Sequence, residues 1–585
     1  MKSLKKISSL ISYKDKKFIF FVFFGSIISV LLETFSIGLV VPFVTSLIDA
    51  EKFQSYQIVQ NLMNSYNITD RAELINFSVI IFLLVFLFKN IYFFFYIYIY
   101  NKLILELNFN LNNRLFKKYL NSSYLFYSKN NSSELIKNII GEVPRVVQLI
   151  GALISLAREF LILSFIIILL IFFDSESSIY MILILGISGY LILKLTKQTV
   201  VKEGFIRSKF QGSLLKTLNQ TFNSFREIIL SWNQNKFSKI FNISQFKLLN
   251  STKKITIITS MPRLILEIIV IAALSIFILF ALRQNENLVG ILPIISLYAV
   301  AAARLSPSLQ KFVADTQQIR YCHPALENIY NEFRSINLNS KNISNKKSSE
   351  EINFDNYEVK IEKINFQYPN ENNEVLKNIS FSFKKGEIIG IVGKSGSGKT
   401  TLMNLLLGLL EPTNGKISVN NIDLKYCLES WQKKIGYVSQ SVYLLDESIK
   451  NNISYFSSEF EMNENAKIKK IYKVIEDSQL SKFIKGLPDG IDTIIGENGV
   501  RISGGQKQRI GIARALYSDV SLIFFDESTS SLDSETESLL LNEISKLKRD
   551  KTIILISHKE STLKFCDKVI FISDGKINID KKESN

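Results

Sequence analysis

Apolar residues fall along this chain in two regimes. Up to about residue 312 they form long runs, near 18–48, 76–100, 149–173, 178–195, 255–282 and 288–312, and each approaches the roughly 20 residues an α-helix needs to cross a bilayer. Beyond residue 354 the stretches are short. Val359, Ile361, Ile364, Phe366 and Tyr368, then Ile379, Phe381 and Phe383, alternate with polar residues as half-buried strands do. Ile388, Ile389, Ile391 and Val392 predict a buried strand, and residues 402–410 a helix. Between the regimes, residues 335–353 are rich in Ser, Asn, Lys and Glu and are expected to be a linker. The expected fold is a membrane all-α six-helix domain over residues 1–334, then an α/β domain over 354–585.

Polar residues between the apolar runs give the expected orientation. Lys102, Arg114, Lys117, Lys118, Lys129 and Lys137 crowd the second connection, and residues 194–254 are richer still in Lys and Arg. By the positive-inside rule these are cytosolic. The opposite connections carry Asp49, Glu51, Asp70 and Glu73, then Asp174 and Glu176, then Glu286. Both termini are therefore expected inside, with the first run retained rather than cleaved as a signal. Phe53, Tyr56, Val59, Leu62, Met63 and Tyr66 recur at helical spacing, which suits either a helix lying on the membrane or a packed connector. Spans 2 to 5 are expected to continue past the bilayer and turn near 121–133 and 219–232. There Tyr124, Phe126, Tyr127, Phe222 and Phe225 either dock a soluble domain or close the bundle's own core.

Charges inside apolar runs are costly, so they face a partner or a wet cavity. Lys89, Arg263 and Arg304 are the candidates for an inward-facing basic vestibule. The competing reading is pairing, since Glu267 follows Arg263 by one helical turn, Arg158 adjoins Glu159, and Glu33 has no local partner. Pro42, Pro262 and Pro293 are possible kinks. The net charge of +17 follows from cations flanking apolar runs and not from one basic face, which argues for membrane topology and against nucleic acid. Cys322, Cys427 and Cys566 have no paired spacing, so neither a disulfide framework nor a zinc site is expected.

The soluble half carries the sharper chemistry. Gly393-Lys394-Ser395-Gly396-Ser397-Gly398-Lys399-Thr400 lies between the buried strand and a helix, the context a phosphate loop requires. Its backbone N–H groups and the helix N-terminus attract phosphate, Lys399 reaches the outer phosphates, and Thr400 can ligate magnesium, with Thr401 beside it. Leu522-Ile523-Phe524-Phe525 ends in Asp526 and Glu527, a buried strand presenting two acids, one to hold magnesium and one to polarise water. Ser503, Gly504, Gly505 and Gln506 open another helix and form a second anion-binding start. Tyr368, at a strand end, is placed to stack on adenine.

These motifs together resemble the ATP-binding cassette (ABC) transporters, with six spans followed by one α/β P-loop ATPase domain, an ABC nucleotide-binding domain. The resemblance implies ATP and Mg2+ as cofactors. It also implies that Gln440 is a magnesium-sensing and catalytic glutamine, Glu527 the catalytic carboxylate, His558 a phosphate-sensing histidine and Asp533 a dimer contact. Ile502 stands where Leu is usual in the signature and leaves Ser503 to Gln506 intact. His323 is expected to be structural. Two cassettes of this family close head to tail, so one phosphate loop and one signature per chain imply a homodimer.

Residues 32–43, 261–263 and 303–307 are similar to segments of bacterial flippases for lipid-linked oligosaccharides. That resemblance implies an undecaprenyl-diphosphate-linked glycan moved from the cytoplasmic to the periplasmic leaflet of the inner membrane, with Lys89, Arg263 and Arg304 holding the diphosphate. The alternatives are an exporter of drugs, peptides or lipid A, favoured by a more aromatic cavity, and a soluble-type cassette ATPase with a membrane anchor, which the charge alternation disfavours. The missing peptidase segment before the first run is expected to exclude processed-peptide secretion.

Overall fold

The computed structural model describes residues 2–48, 71–173, 175–283, 288–344, 351–369, 371–455, 463–496, 499–527, 538–539, 542, 545–546, 548, 550–557 and 560–581. The amphipathic segment at 53–66, Asp533 and His558 lie outside them. The chain divides into Met1–Ser122 with Phe126–Ser340, and Ser123–Leu125 with Lys341–Asn585.

The first unit is helical, with long helices at Tyr13–Gly38, Arg71–Leu120, Val143–Phe173, Ser175–Asn223, Gln234–Arg283 and Leu288–Ser344. Among the described residues, Tyr13–Leu47, Ala72–Leu120, Ser132–Phe172 and Gln234–Ala272 are long and apolar enough to cross a membrane. Large side chains such as Phe20, Phe94 and Ile168 stay exposed on them, an arrangement that suits a hydrocarbon solvent. One core gathers around Leu103, Leu107, Val143, Val146, Leu326 and Ile329, another around Val30, Ile162, Ile166, Leu297 and Ala301. At Gly204 an added Cβ would stand 2.5 Å from the Tyr321 carbonyl oxygen, so glycine lets two long helices touch backbone to backbone.

Several boundaries differ from the sequence reading. The first apolar run is not one helix: it breaks at Leu39, whose N–H bonds back to Phe35 and Ile37, and resumes as Val40–Ile48. The break puts Pro42 in a first turn, where its missing N–H leaves no hydrogen bond unmade. A π turn at Asn138–Glu142 likewise precedes Pro144. It brings Glu142 inward, where Arg207 Nη2 donates at 2.9 Å and Ser208 Oγ at 2.6 Å. The expected linker is partly helix, because Leu288–Ser344 runs through residues 335–344, which contain neither Pro nor Gly to stop it.

Both expected turns are present, with the short helices Tyr124–Lys129 and Phe225–Leu230 inside them. Phe126 closes the unit's own core, stacked 5.9 Å from Tyr119, whereas Phe222 and Phe225 stay exposed.

The second unit holds two sheets. β1 (Glu358–Phe366), β2 (Leu376–Lys384), β4 (Asn414–Val419) and β5 (Ile422–Asp423) pair in the antiparallel order β2-β1-β4-β5. The other sheet comprises β3 (Ile388–Gly393), β6 (Ile435–Val438), β7 (Leu522–Asp526), β8 (Thr552–Ile556), β9 (Lys568–Ser573) and β10 (Lys576–Lys581), ordered β10-β9-β3-β8-β7-β6. All its pairs are parallel except β10 with β9. The near-continuous apolar runs of β3, β7 and β8 are those of strands buried on both faces. Parallel strands end together, so the residues that follow β3, β7 and β8 collect at one edge, where α/β sheets bind ligands.

Candidate functional site

The phosphate loop follows β3. Its helix, Lys399–Leu406, starts and ends earlier than the apolar pattern suggests. Gly398, at φ +106, turns the chain directly into the helix, and Gly408, at φ +68, ends it. At Gly393 an added Cβ would lie 2.3 Å from the Ile572 carbonyl oxygen and 2.6 Å from Ser397 Oγ, so no side chain fits inside the turn. Lys399 is buried, and its Nζ donates to the carbonyl oxygens of Gly393 and Lys394, each at 2.9 Å. Ser397 Oγ is buried with no hydrogen-bond partner. A closed glycine turn, a lysine arched over it and an orphaned hydroxyl fit a phosphate group, which accepts from all of these donors. Lys394, Ser395, Gly396 and Thr400 are exposed along the loop.

Tyr368 lies just past β1. Its ring stands edge-on to Phe366 with centroids 4.9 Å apart, and its hydroxyl is 3.2 Å from Thr401 Oγ1. This braces the aromatic against the loop helix and leaves its other face for an adenine ring.

The acids stand at the end of β7. Tyr437, on β6, donates to Asp526 Oδ2 at 3.3 Å, and Gln440 Nε2 donates to Glu527 Oε2 at 2.7 Å. Glu527 has φ 47, unusual for a residue with a side chain; such strain persists where the surroundings enforce it and is frequent at functional sites. Burial pushes the Asp526 carboxyl up, with the Glu527 charge adding to the shift, while Tyr437 and Lys399 oppose it. A divalent cation would reverse that balance, and Thr400, Gln440 and Asp526 supply the oxygens a hard cation takes. Burial and the Asp526 charge both push the Tyr437 hydroxyl up, so it stays a donor. Tyr437 escaped the sequence reading because a strand aromatic is by itself indistinguishable from core.

Ser503 caps the helix Gly504–Tyr517 in a reciprocal box: its Oγ accepts from the Gln506 N–H, and Gln506 Oε1 accepts from the Ser503 N–H at 2.8 Å. The expected anion-binding start is thus self-capped, while Gly504 remains exposed and Gly505 half-buried. Further along this helix Arg514 donates to the carbonyl oxygens of Asn452 and Tyr443, each at 2.9 Å. Asn452 Oδ1 also accepts from the Leu445 N–H. These bonds tie the signature helix to the segment just after Gln440, a link no motif signalled. Among the described residues no cluster of His, Cys, Asp and Glu forms a metal site, and all three cysteines are buried and outside any disulfide.

In the helical unit the expected cations separate. Arg304 Nη2 donates to Glu33 at 2.7 Å, which gives Glu33 the partner its sequence neighbourhood lacks. Arg158 stands 3.7 Å from Glu33 and from Glu159, over the rings of Phe93 and Tyr96, and Lys311 is 3.9 Å from Glu159. Lys89 lies over Phe86 and feels the charges of Glu33 and Arg304. Arg263 is exposed and joins none of this; it forms no ion pair with Glu267 among the described residues. His323, likewise, has a partner in Glu327 at 3.6 Å.

Residues 376–530 match the family model described as ABC transporter. An ATP-dependent lipid A-core flippase of Ralstonia nicotianae is 27% identical over 484 residues, covering 82% of this chain and 78% of that protein. One of the same description from Pectobacterium atrosepticum is 28% identical over 476 residues, covering 80% and 79%. The solved structure of a bacterial Atm1-family ABC exporter with ATP bound superposes with a TM-score of 0.74 at 20% identity, covering 94% of this chain and 93% of that one, which shows a shared fold.

Proposed function

We propose that this chain is an exporter-type ABC half-transporter, a multi-pass helical unit followed by an ATP-hydrolysing cassette, and that as a homodimer it moves a phosphate-bearing glycolipid from the inner to the outer leaflet of a bacterial inner membrane. The carrying observation is the charge balance around Glu33. Lys89, Arg158, Arg304 and Lys311 share Glu33, Glu159 and Asp315, four cations to three carboxylates. Arg158 is 6% exposed, and its Nε and Nη2 make no hydrogen bond. Cations in apolar helices need an anion, and a phosphate or diphosphate headgroup supplies several acceptor oxygens at once.

The cargo we favour is an undecaprenyl-diphosphate-linked oligosaccharide, with Lys89 and Arg304 beside its diphosphate and Arg263 at the entrance. A lipid A-core cargo is the second reading, favoured by what the flippase relatives are described as moving. Both carry phosphate and sugar, so the same cations serve either.

In the cassette, the loop from Gly393 to Thr401 holds the ATP phosphates, and Tyr368 holds its base. Magnesium, held by Thr400, Gln440 and Asp526, would offset charge on the outer phosphates. Glu527 accepts the proton of the attacking water, with Gln440 fixing its carboxylate and His558 facing the departing phosphate. Ser503 and Gly505 of one chain would close over the loop of the other, with Asp533 lining the contact. The exposed signature start supports this two-chain site.

The test is reconstitution of the purified chain in liposomes holding fluorescent lipid-linked oligosaccharide or lipid A-core. ATP-dependent exposure of one of them, slowed at least tenfold in R158Q, is the expected result. Equal exposure without ATP, or with R158Q, overturns the reading.

A further inference from the structure

Apart from the cassette and the charges around Glu33, the helical unit contains an open cavity of about 500 Å³ walled by the helices Ser132–Lys137, Ser175–Asn223 and Leu288–Ser344, with Lys137, Lys209, Gly212, Ser213 and Lys216 in its lining. Lys209 and Lys216 are two helical turns apart on Ser175–Asn223 and so share a face. Lys137 reaches the same space from Ser132–Lys137 because Gly212 leaves room: a Cβ there would come within 3.2 Å of Lys137 Cδ and 3.6 Å of its Nζ.

The other polar groups of the wall are already satisfied. Ser208 Oγ donates to Glu142, Asn328 Nδ2 to Ser208 at 3.1 Å, and Asn219 Nδ2 to Ser133 at 2.9 Å. Glu134 is the one carboxylate in the lining, and Glu332 acts on Lys137 from beside it. Lys209 and Lys216 form no ion pair among the described residues. Like charges converging on one concavity repel each other unless an anion sits between them.

Position restricts that anion. Counting about 1.5 Å per residue from the end of the apolar run at 195, Lys209 and Lys216 stand roughly 20 and 30 Å beyond the hydrocarbon, whereas the headgroup layer is only about 5–8 Å deep. A lipid headgroup anchored in the bilayer does not reach them. We infer that this cavity is a binding site for a water-soluble phosphorylated anion, held by Lys137, Lys209 and Lys216. The volume suits a sugar phosphate or a compound of similar size, and Phe205, exposed on the rim, offers its carbon skeleton an apolar wall. The site is independent of which lipid the protein carries.

The test uses the full-length chain in zwitterionic lipid nanodiscs, with the phosphate loop saturated by ADP, titrated calorimetrically with inorganic pyrophosphate. One pyrophosphate per chain is expected, bound at least tenfold more weakly by K209Q/K216Q. G212L, which fills the cavity without removing a charge, should lose it while ADP affinity stays unchanged. No binding by the wild-type chain, or wild-type affinity in K209Q/K216Q, overturns the site. A second arm repeats the titration in nanodiscs rich in phosphatidylglycerol. The cavity lysines stand about one and a half to three Debye lengths from the headgroup surface at physiological salt, where that length is about 8 Å, so an affinity changed by less than about twofold is expected. Competition by the anionic lipid would assign the site to a headgroup and overturn the soluble ligand.

Discussion

The cassette and the helical unit treat charge in opposite ways. In the cassette, Asp526, Glu527 and Gln440 each occupy a strand end or the loop that follows it, and Lys399 opens the helix after the glycine turn, all within a few residues of a glycine turn or an apolar strand. In the helical unit, Glu33, Lys89, Arg158, Arg304 and Lys311 come from four helices and lie up to hundreds of residues apart, yet they meet in one cluster with Glu159 and Asp315. A catalytic edge can be written locally, because a parallel sheet aligns its strand ends automatically. A buried charge cluster cannot, because its balance depends on which helices pack together.

The comparison breaks most sharply at the cassette. E527Q should lower ATP turnover by roughly 10²–10⁴, the range for loss of a positioned general base, with nucleotide affinity retained; steady-state ATPase and equilibrium binding measure the two. D526N should also abolish turnover but act oppositely on the unliganded fold. The Asp526 carboxyl is held above its ordinary range, so its contribution to stability is full below the ordinary aspartate pKa and is lost as pH rises through the raised value. D526N should therefore raise the nucleotide-free Tm at neutral pH and leave it unchanged in acid, as thermal scans across pH will show.

The helical unit should respond through pairing. R304Q leaves Glu33 with the more distant Arg158 and the charge of Lys89; because Arg304 is partly exposed, a loss of about 1–2 kcal/mol is expected, less than for a fully buried pair. E33Q/R304Q should recover part of it, and a double-mutant cycle in denaturation midpoints would show the coupling. If the two single changes simply add, the pair is not a unit.

The signature helix offers finer tests. R514A removes hydrogen bonds from a guanidinium whose pKa burial lowers to about 10, and should cost about 2 kcal/mol while uncoupling the Gln440 segment from the signature. S503A removes the N-cap and should cost about 1 kcal/mol in stability; a larger loss in ATPase than in Tm would separate its two-chain role from its cap.

Much of the cassette was readable because Gly, Lys, Asp and Glu have narrow reasons to occur in that order. The helix limits around the phosphate loop were less so, because the left-handed turns at Gly398 and Gly408 override an apolar pattern that runs on to residue 410. In the helical half the apolar runs and the polar turns were readable from composition. The break at Leu39 and the helical continuation to Ser344 were not, since local hydrogen bonding and the absence of a helix stop decide them.

By itself, then, the sequence determined the phosphate loop, the acids ending β7, the apolar runs and the two turns of the helical unit, each of which rests on neighbours in the chain. Only the tertiary structure decided that Arg304 belongs to Glu33, that Tyr437 holds Asp526, that Gln440 meets Glu527, and that Gly212 opens a cavity for Lys137. Those pairings join residues brought together by packing, and the pattern along one strand or helix carries no record of which side chain will stand opposite.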